Sequence, residues 1–137
     1  MSLRISLVIP TYNRAERLGR ILEKVASQTL DPRLWELVVV DNNSTDGTRK
    51  TFEEFSRLNP AIECRMVTEP MQGVSFARNR GIAESRGEYI AAIDDDEEPV
   101  PALLESYLTF FENTPGAVAA GGRILPRYET RPPKWMS

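Results

Sequence analysis

The chain has 137 residues, 41% hydrophobic and 27% charged, with a formal net charge of −3. That is the size of one domain with a real core, and it offers nucleic acid no basic footprint. The absence of histidine and the single Cys64 remove histidine bases, Ser-His-Asp triads, His-ligated zinc and an internal disulfide, and fit a reducing compartment.

No apolar run approaches the ~20 residues that a membrane span needs, and the first residues do not read as a signal peptide. Arg4 to Ile9 reads as a buried strand ended by Pro10, which cannot donate to a ladder. Asn13 followed by Glu16 resembles a capping box that opens a helix. Leu18, Ile21, Leu22 and Val25 then recur at the spacing of one apolar face, and Asp31-Pro32 breaks the helix.

Glu36 to Val40 is a second buried strand, rich in β-branched residues. It runs into Asp41-Asn42-Asn43-Ser44-Thr45-Asp46-Gly47, whose short polar side chains can bond the local backbone. A helix to about Leu58 follows, with Phe52, Phe55 and Leu58 on its stripe. Ile62 to Val67 makes a third, less apolar strand near a sheet edge. Gln72-Gly73 opens a helix over Val74 to Ser85, with Val74, Ala77, Gly81 and Ile82 toward the sheet and Gly87 at C′.

Tyr89 to Ile93 is a fourth strand, which enters Asp94-Asp95-Asp96-Glu97-Glu98 directly. A helix from about Pro101 to Asn113 carries Leu104, Tyr107, Leu108 and Phe111, and Ala117 to Ala120 suggests a short fifth strand. The alternation argues an α/β fold with a mostly parallel sheet and flanking helices. Residues 1–122 are expected to form the domain, and 123–137, with three prolines and Trp135-Met136, a linker or the start of a further region.

Neither Gly-x-Gly-x-x-Gly nor a Gly-Lys-Ser/Thr loop is present, so any phosphate must be neutralised in another way. Polar clusters stand at three strand ends: Thr11 to Arg14, Asp41 to Asp46, and Asp94 to Asp96. If the first and fourth strands are neighbours, all three line the crevice at a topological switch point. Helix capping alone accounts for the first two clusters, but poorly for three consecutive aspartates. Hard carboxylate oxygens suit Mg²⁺ or Mn²⁺, commonly shared with substrate phosphates. Arg78 could pair with a carboxylate, the reading preferred here, or reach a nucleotide, and Trp135 could serve a sugar ring or the fold.

Four stretches together resemble the family 2 glycosyltransferases of GT-A fold: Ser6 to Arg14, Val39 to Thr48, Gly73 to Ile82, and Gly87 to Asp96. The resemblance runs from about Ser6 to Leu108 and implies a Rossmann-like nucleotide-diphospho-sugar transferase domain. It implies inverting, metal-dependent transfer from a nucleoside-diphosphate sugar, with a UDP-sugar as first choice, to a saccharide or lipid-linked acceptor. By the same resemblance Pro10, Thr11, Tyr12, Arg14, Asp41, Asn43, Arg78, Asp94 and Asp95 would serve the donor nucleotide and sugar. Asp96 and Asp94 would hold the metal. Asn42 stands where many members carry a second acid. The general base of the family lies in a later acidic motif that nothing after Gly122 matches, so the chain reads as a donor-binding half of a longer enzyme. Relatives in polysaccharide biosynthesis imply a cytoplasmic protein, peripheral to the inner membrane face. A non-catalytic nucleotide- or sugar-binding module is the alternative. A phospho-acceptor domain lacks its conjugate Thr/Ser and Lys.

Overall fold

The computed structural model describes residues 2–136. Four parallel strands form one sheet in the order β3-β2-β1-β4: β1 is Ile5–Thr11, β2 Trp35–Asp41, β3 Glu63–Thr68 and β4 Tyr89–Ala92. Between and after them lie α1 (Ala15–Ala26), α2 (Thr48–Leu58), α3 (Val74–Glu84) and α4 (Leu103–Asn113). Short 3₁₀ turns occupy Pro32–Leu34 and Lys134–Met136. All seven residues of β1 and of β2 are buried, as continuous apolar runs require when helices cover both faces of a parallel sheet. β1 lies centrally, with Ile5 opposite both Trp35 and Tyr89. The neighbouring first and fourth strands therefore create the switch point that the sequence suggested.

The two faces are built differently. Ile5, Leu7 and Ile9 join Leu37 and Val39 beneath α1, α2 and α4, which contribute Leu18, Leu22, Phe52, Phe55 and Leu104. The opposite face, with Val8, Val38 and Val40, is covered by α3 through the small residues Ala77 and Gly81. A Cβ at Gly81 would stand 2.2 Å from Val8 Cγ1, so the helix lies directly on the strands. This close approach, rather than a large apolar stripe, seats α3.

Glu36 is buried on that same face, near the amino ends of the strands. It accepts from Ser6 Oγ at 2.6 Å, Arg65 Nη1 at 2.5 Å and the Arg86 amide at 2.8 Å. Burial pushes its carboxyl up, but the bonds from Arg65, Ser6 and Arg86 outweigh that and hold it below the ordinary range. Ser6 Oγ also accepts from the Gly87 amide at 2.8 Å. Gly87 is needed there for space: a Cβ would come within 2.6 Å of the Ile5 and Ser6 backbone. It is a contact glycine, not the C′ residue expected from the sequence.

Other expectations are corrected by the structure. β1 continues through Pro10 to Thr11. Leu58, Val74 and Ile82 are exposed, because α2 needs only its two phenylalanines and α3 packs by its small residues. β4 is a sheet edge rather than a strand buried on both sides, and α3 leaves its Ile90 uncovered. β3 is the other edge, as its mixed composition indicated. Ala117 to Ala120 is irregular, with Val118 fully exposed, and among the described residues it pairs with no strand. No helix among the described residues is long and apolar enough to cross a membrane.

Candidate functional site

The polar clusters converge beyond the carboxyl ends of β1, β2 and β4. The loop after β1 and the loop after β2 lock onto each other first. Asn13 and Asn43 hold positive φ angles of 47° and 69°, which Asn adopts more readily than most residues. Asn13 Oδ1 accepts from the Thr45 amide at 2.6 Å, and the Asn13 amide donates to Ser44 Oγ at 2.9 Å. The expected Asn13–Glu16 capping box does not form: the N-cap of α1 is Arg14, with no side-chain cap bond. Asp46 supplies the acceptor instead, taking the Ala15 amide at 3.1 Å and the Thr48 amide at 3.0 Å. The Thr48 hydroxyl and these amides hold the Asp46 carboxyl below its usual range.

An open cavity of about 420 Å³ lies against these loops, within the size range of small-ligand sites. Pro10, Thr11, Tyr12 and Arg14 line it from the end of β1 and the loop after it, Asp94, Asp95 and Asp96 from the turn after β4, and Arg78 from α3. The fold thus brings eight of the residues singled out in the sequence to one cavity. Asp41 and Asn43 do not line it. Asp41 Oδ1 accepts from the Ser44 amide at 2.9 Å, and Asn43 Nδ2 donates to the Pro70 carbonyl at 2.9 Å. Asn42, from the second polar cluster, completes the lining together with Gln72, Gly73, Val74 and Ala77, which sequence reasoning did not assign to the site. The available hint was the polar Gln72-Gly73 step at a helix start.

The three aspartates have separate environments. Asp95 is buried and accepts from Thr11 Oγ1 at 3.0 Å and Arg14 Nη1 at 3.1 Å. Burial pushes its carboxyl up, the bonds from Thr11 and Arg14 do not overcome that, and Asp96 adds to it. Asp94 pairs with Arg78 Nη2 at 2.8 Å, which raises the guanidinium's own pKa. Asp96 is half exposed, and its ion pair with Arg14 is long, 3.8 Å. Arg14 and Arg78 therefore place positive charge against all three aspartates.

The carboxylates of this corner meet the demand of a divalent cation only in part. Among the described residues no three acidic, Cys or His side chains gather as a ready metal cage. Mg²⁺ and similar ions, however, are commonly held by one or two carboxylates with phosphates and water completing the shell. Asp96, the least committed acid, and Asp94 beside it meet that lesser demand from one exposed turn of the cavity wall.

Similarity to known proteins identifies the family and the fold. Residues 6–137 match the family model described as Glycosyl transferase family 2. Glycosyltransferase AglE of Haloferax volcanii is 36% identical over 120 residues, which are 88% of this chain and 39% of AglE. The glucosyl-dolichyl phosphate glucuronosyltransferase of the same organism is 29% identical over 137 residues, 98% of this chain and 42% of that protein. The chain thus spans about two fifths of the length of each. Among solved structures, the mannosyltransferase PcManGT from Pyrobaculum calidifontis, in complex with GDP-Man and Mn²⁺, superposes with a TM-score of 0.75. It is 26% identical, over 81% of this chain and 33% of its own. With an all-parallel sheet, polar strand ends meeting at its switch point, and a family match across nearly the whole length, the chain belongs to glycosyl transferase family 2, on a GT-A fold.

Proposed function

We propose that this chain is the donor-binding part of an inverting, metal-dependent glycosyltransferase that takes a nucleoside-diphosphate sugar. One observation carries the reading: Thr11 at the end of β1, Arg14 beyond it, Arg78 on α3 and the Asp94-Asp95-Asp96 turn after β4 share one cavity at the switch point. Pro10 and Tyr12 offer a flat, partly apolar wall for a base, and Tyr12 is exposed enough to stack on one. Arg14 and Arg78 offer planar, permanently charged forks for a diphosphate. Asp96 and Asp94 would hold Mg²⁺ or Mn²⁺, and Asp95 would stand beside the sugar. The ion, when bound, offsets diphosphate charge and stabilises the leaving group.

UDP is the first nucleotide to test. GDP is the second, because PcManGT was solved with GDP-Man. The acceptor is proposed to be a saccharide or a lipid-linked sugar, reached at the cytoplasmic membrane surface. Its class follows the name of the glucosyl-dolichyl phosphate relative. The base that takes the acceptor's proton has no assignment among residues 2–136. Isothermal titration of UDP and of GDP, each with and without Mn²⁺, tests the reading. Binding of one nucleotide that Mn²⁺ strengthens, and that Asp96→Ala weakens about tenfold, is expected. Negligible binding of both nucleotides in every condition would sink it.

A further inference from the structure

We propose that Asn42 is a positioning residue: its amide fixes the 69–73 loop and the start of α3, and thereby one wall of the nucleotide cavity. This rests on the cavity being the donor site. Asn42 is buried at the end of β2. Its Nδ2 donates to the carbonyls of Glu69 at 2.9 Å and Met71 at 2.8 Å. Its Oδ1 accepts from the Gly73 amide at 2.9 Å and Gln72 Nε2 at 3.3 Å. The partners dictate the orientation of the amide, because carbonyls can only accept and a backbone amide can only donate. All four of its hydrogen-bonding sites are used, which leaves none for a ligand.

The clamp has reach. Gly73 is the N-cap of α3, at a φ of 141° that favours glycine. Gln72, Gly73, Val74, Ala77 and Arg78 face the cavity from this loop and helix. Where the helix starts decides where Arg78 meets Asp94. Asn43 adds a second tie to the same loop, through the Pro70 carbonyl. An aspartate at position 42 would keep the shape but turn an acceptor toward two carbonyl oxygens. The position therefore requires an amide, whatever acid occupies it elsewhere in the family.

Asn42→Asp, measured against the unaltered chain at each pH, tests the inference. Asp41 on the same strand, Glu69 in the loop, Arg80 at 3.9 Å from Glu69, and Arg78 with Asp94 are the ionisable neighbours, so only the ratio of the two proteins is informative. At about pH 8 the amides of 69–73 should exchange with deuterium about tenfold faster in the variant, and UDP with Mn²⁺ should bind about tenfold more weakly. At about pH 5 the introduced carboxyl, once protonated, regains one donor, and both ratios should move back toward one. Unchanged exchange across 69–73 would overturn the inference. Weakened UDP binding with unchanged exchange would overturn it too, by making Asn42 a direct contact. If Asn42→Asp does not fold, Asn42→Ser replaces it: faster exchange across 69–73 with no recovery at low pH supports the clamp, and wild-type exchange refutes it. Failure of the unaltered chain to bind UDP or GDP would defeat the donor-site reading alone, since the exchange measurement still decides the clamp.

Discussion

The two ends of the sheet each bury a carboxylate, and they treat it in opposite ways. At the amino ends, Glu36 is enclosed by Ser6, Arg65 and the Arg86 amide, and its ionised form is favoured. At the carboxyl ends, Asp95 has only Thr11 and one half-exposed arginine, its ionised form is disfavoured, and it borders an open cavity. Glu36 is a finished structural joint. Asp95 is a carboxylate whose charge the fold leaves under-compensated, as sites that receive cations and charged ligands do.

The largest effect should come from breaking the finished joint. Arg65→Met leaves Glu36 buried without its cation and should cost about 3–5 kcal/mol in urea denaturation. The folded fraction should bind nucleotide as before. A cost below about 1 kcal/mol, or a loss of affinity in protein that is still folded, would erase the contrast.

Asp95→Asn probes the other end and should separate stability from binding. The raised pKa of Asp95 means that the fold favours its protonated form. That contribution is complete below the ordinary carboxylate range and is lost as pH rises through the folded value. The neutral amide should therefore match or exceed the wild-type Tm at pH 7, with the difference fading toward about pH 3. Nucleotide affinity should fall about tenfold or more, the worth of one charged hydrogen bond. A large drop in Tm at neutral pH would make Asp95 another Glu36.

Arg78→Met sharpens the comparison on a smaller scale. The Arg78–Asp94 pair is exposed on both sides, so its loss should change stability by no more than about 1 kcal/mol. Nucleotide affinity should fall by clearly more than that. Equal effects on both would make the arginine structural. Smallest of all, Asp46→Ala should lower the Tm modestly at neutral pH. The depressed pKa of Asp46 makes its contribution present above the ordinary carboxylate range and lost as pH falls through the folded value, so the deficit should close in acid.

Much of this was legible in the residues. β1 and β2 show as unbroken apolar runs, α1 by its Leu18-Ile21-Leu22-Val25 period, and the site by three polar clusters at strand ends. What escaped was set by contacts between segments distant in the chain. Asp46 caps α1 from 31 positions away, so a local search found Asn13 instead. Asn42 ties down carbonyls 27 and 29 residues later, which leaves no mark on its own neighbourhood. The exposure of Val74, Ile82 and Ile90 depends on how narrowly α3 covers the sheet, and that depends on the contact at Gly81. The irregular stretch at Ala117 to Ala120 has the composition of a strand but no neighbour to pair with among the described residues.

The pairing of β1 with β4 sets an order of assembly. Thr11 and Asp95, which bond across the site, stand 84 positions apart. Closing so long a loop is slow and is rewarded only once the strand is seated. A ribosome-bound chain that has not yet emitted Tyr89 can align β1 with β2 but has no acidic turn to offer. Nucleotide capture would then report a late step of folding, and a nascent-chain series extended past Asn113 should gain it abruptly rather than by degrees.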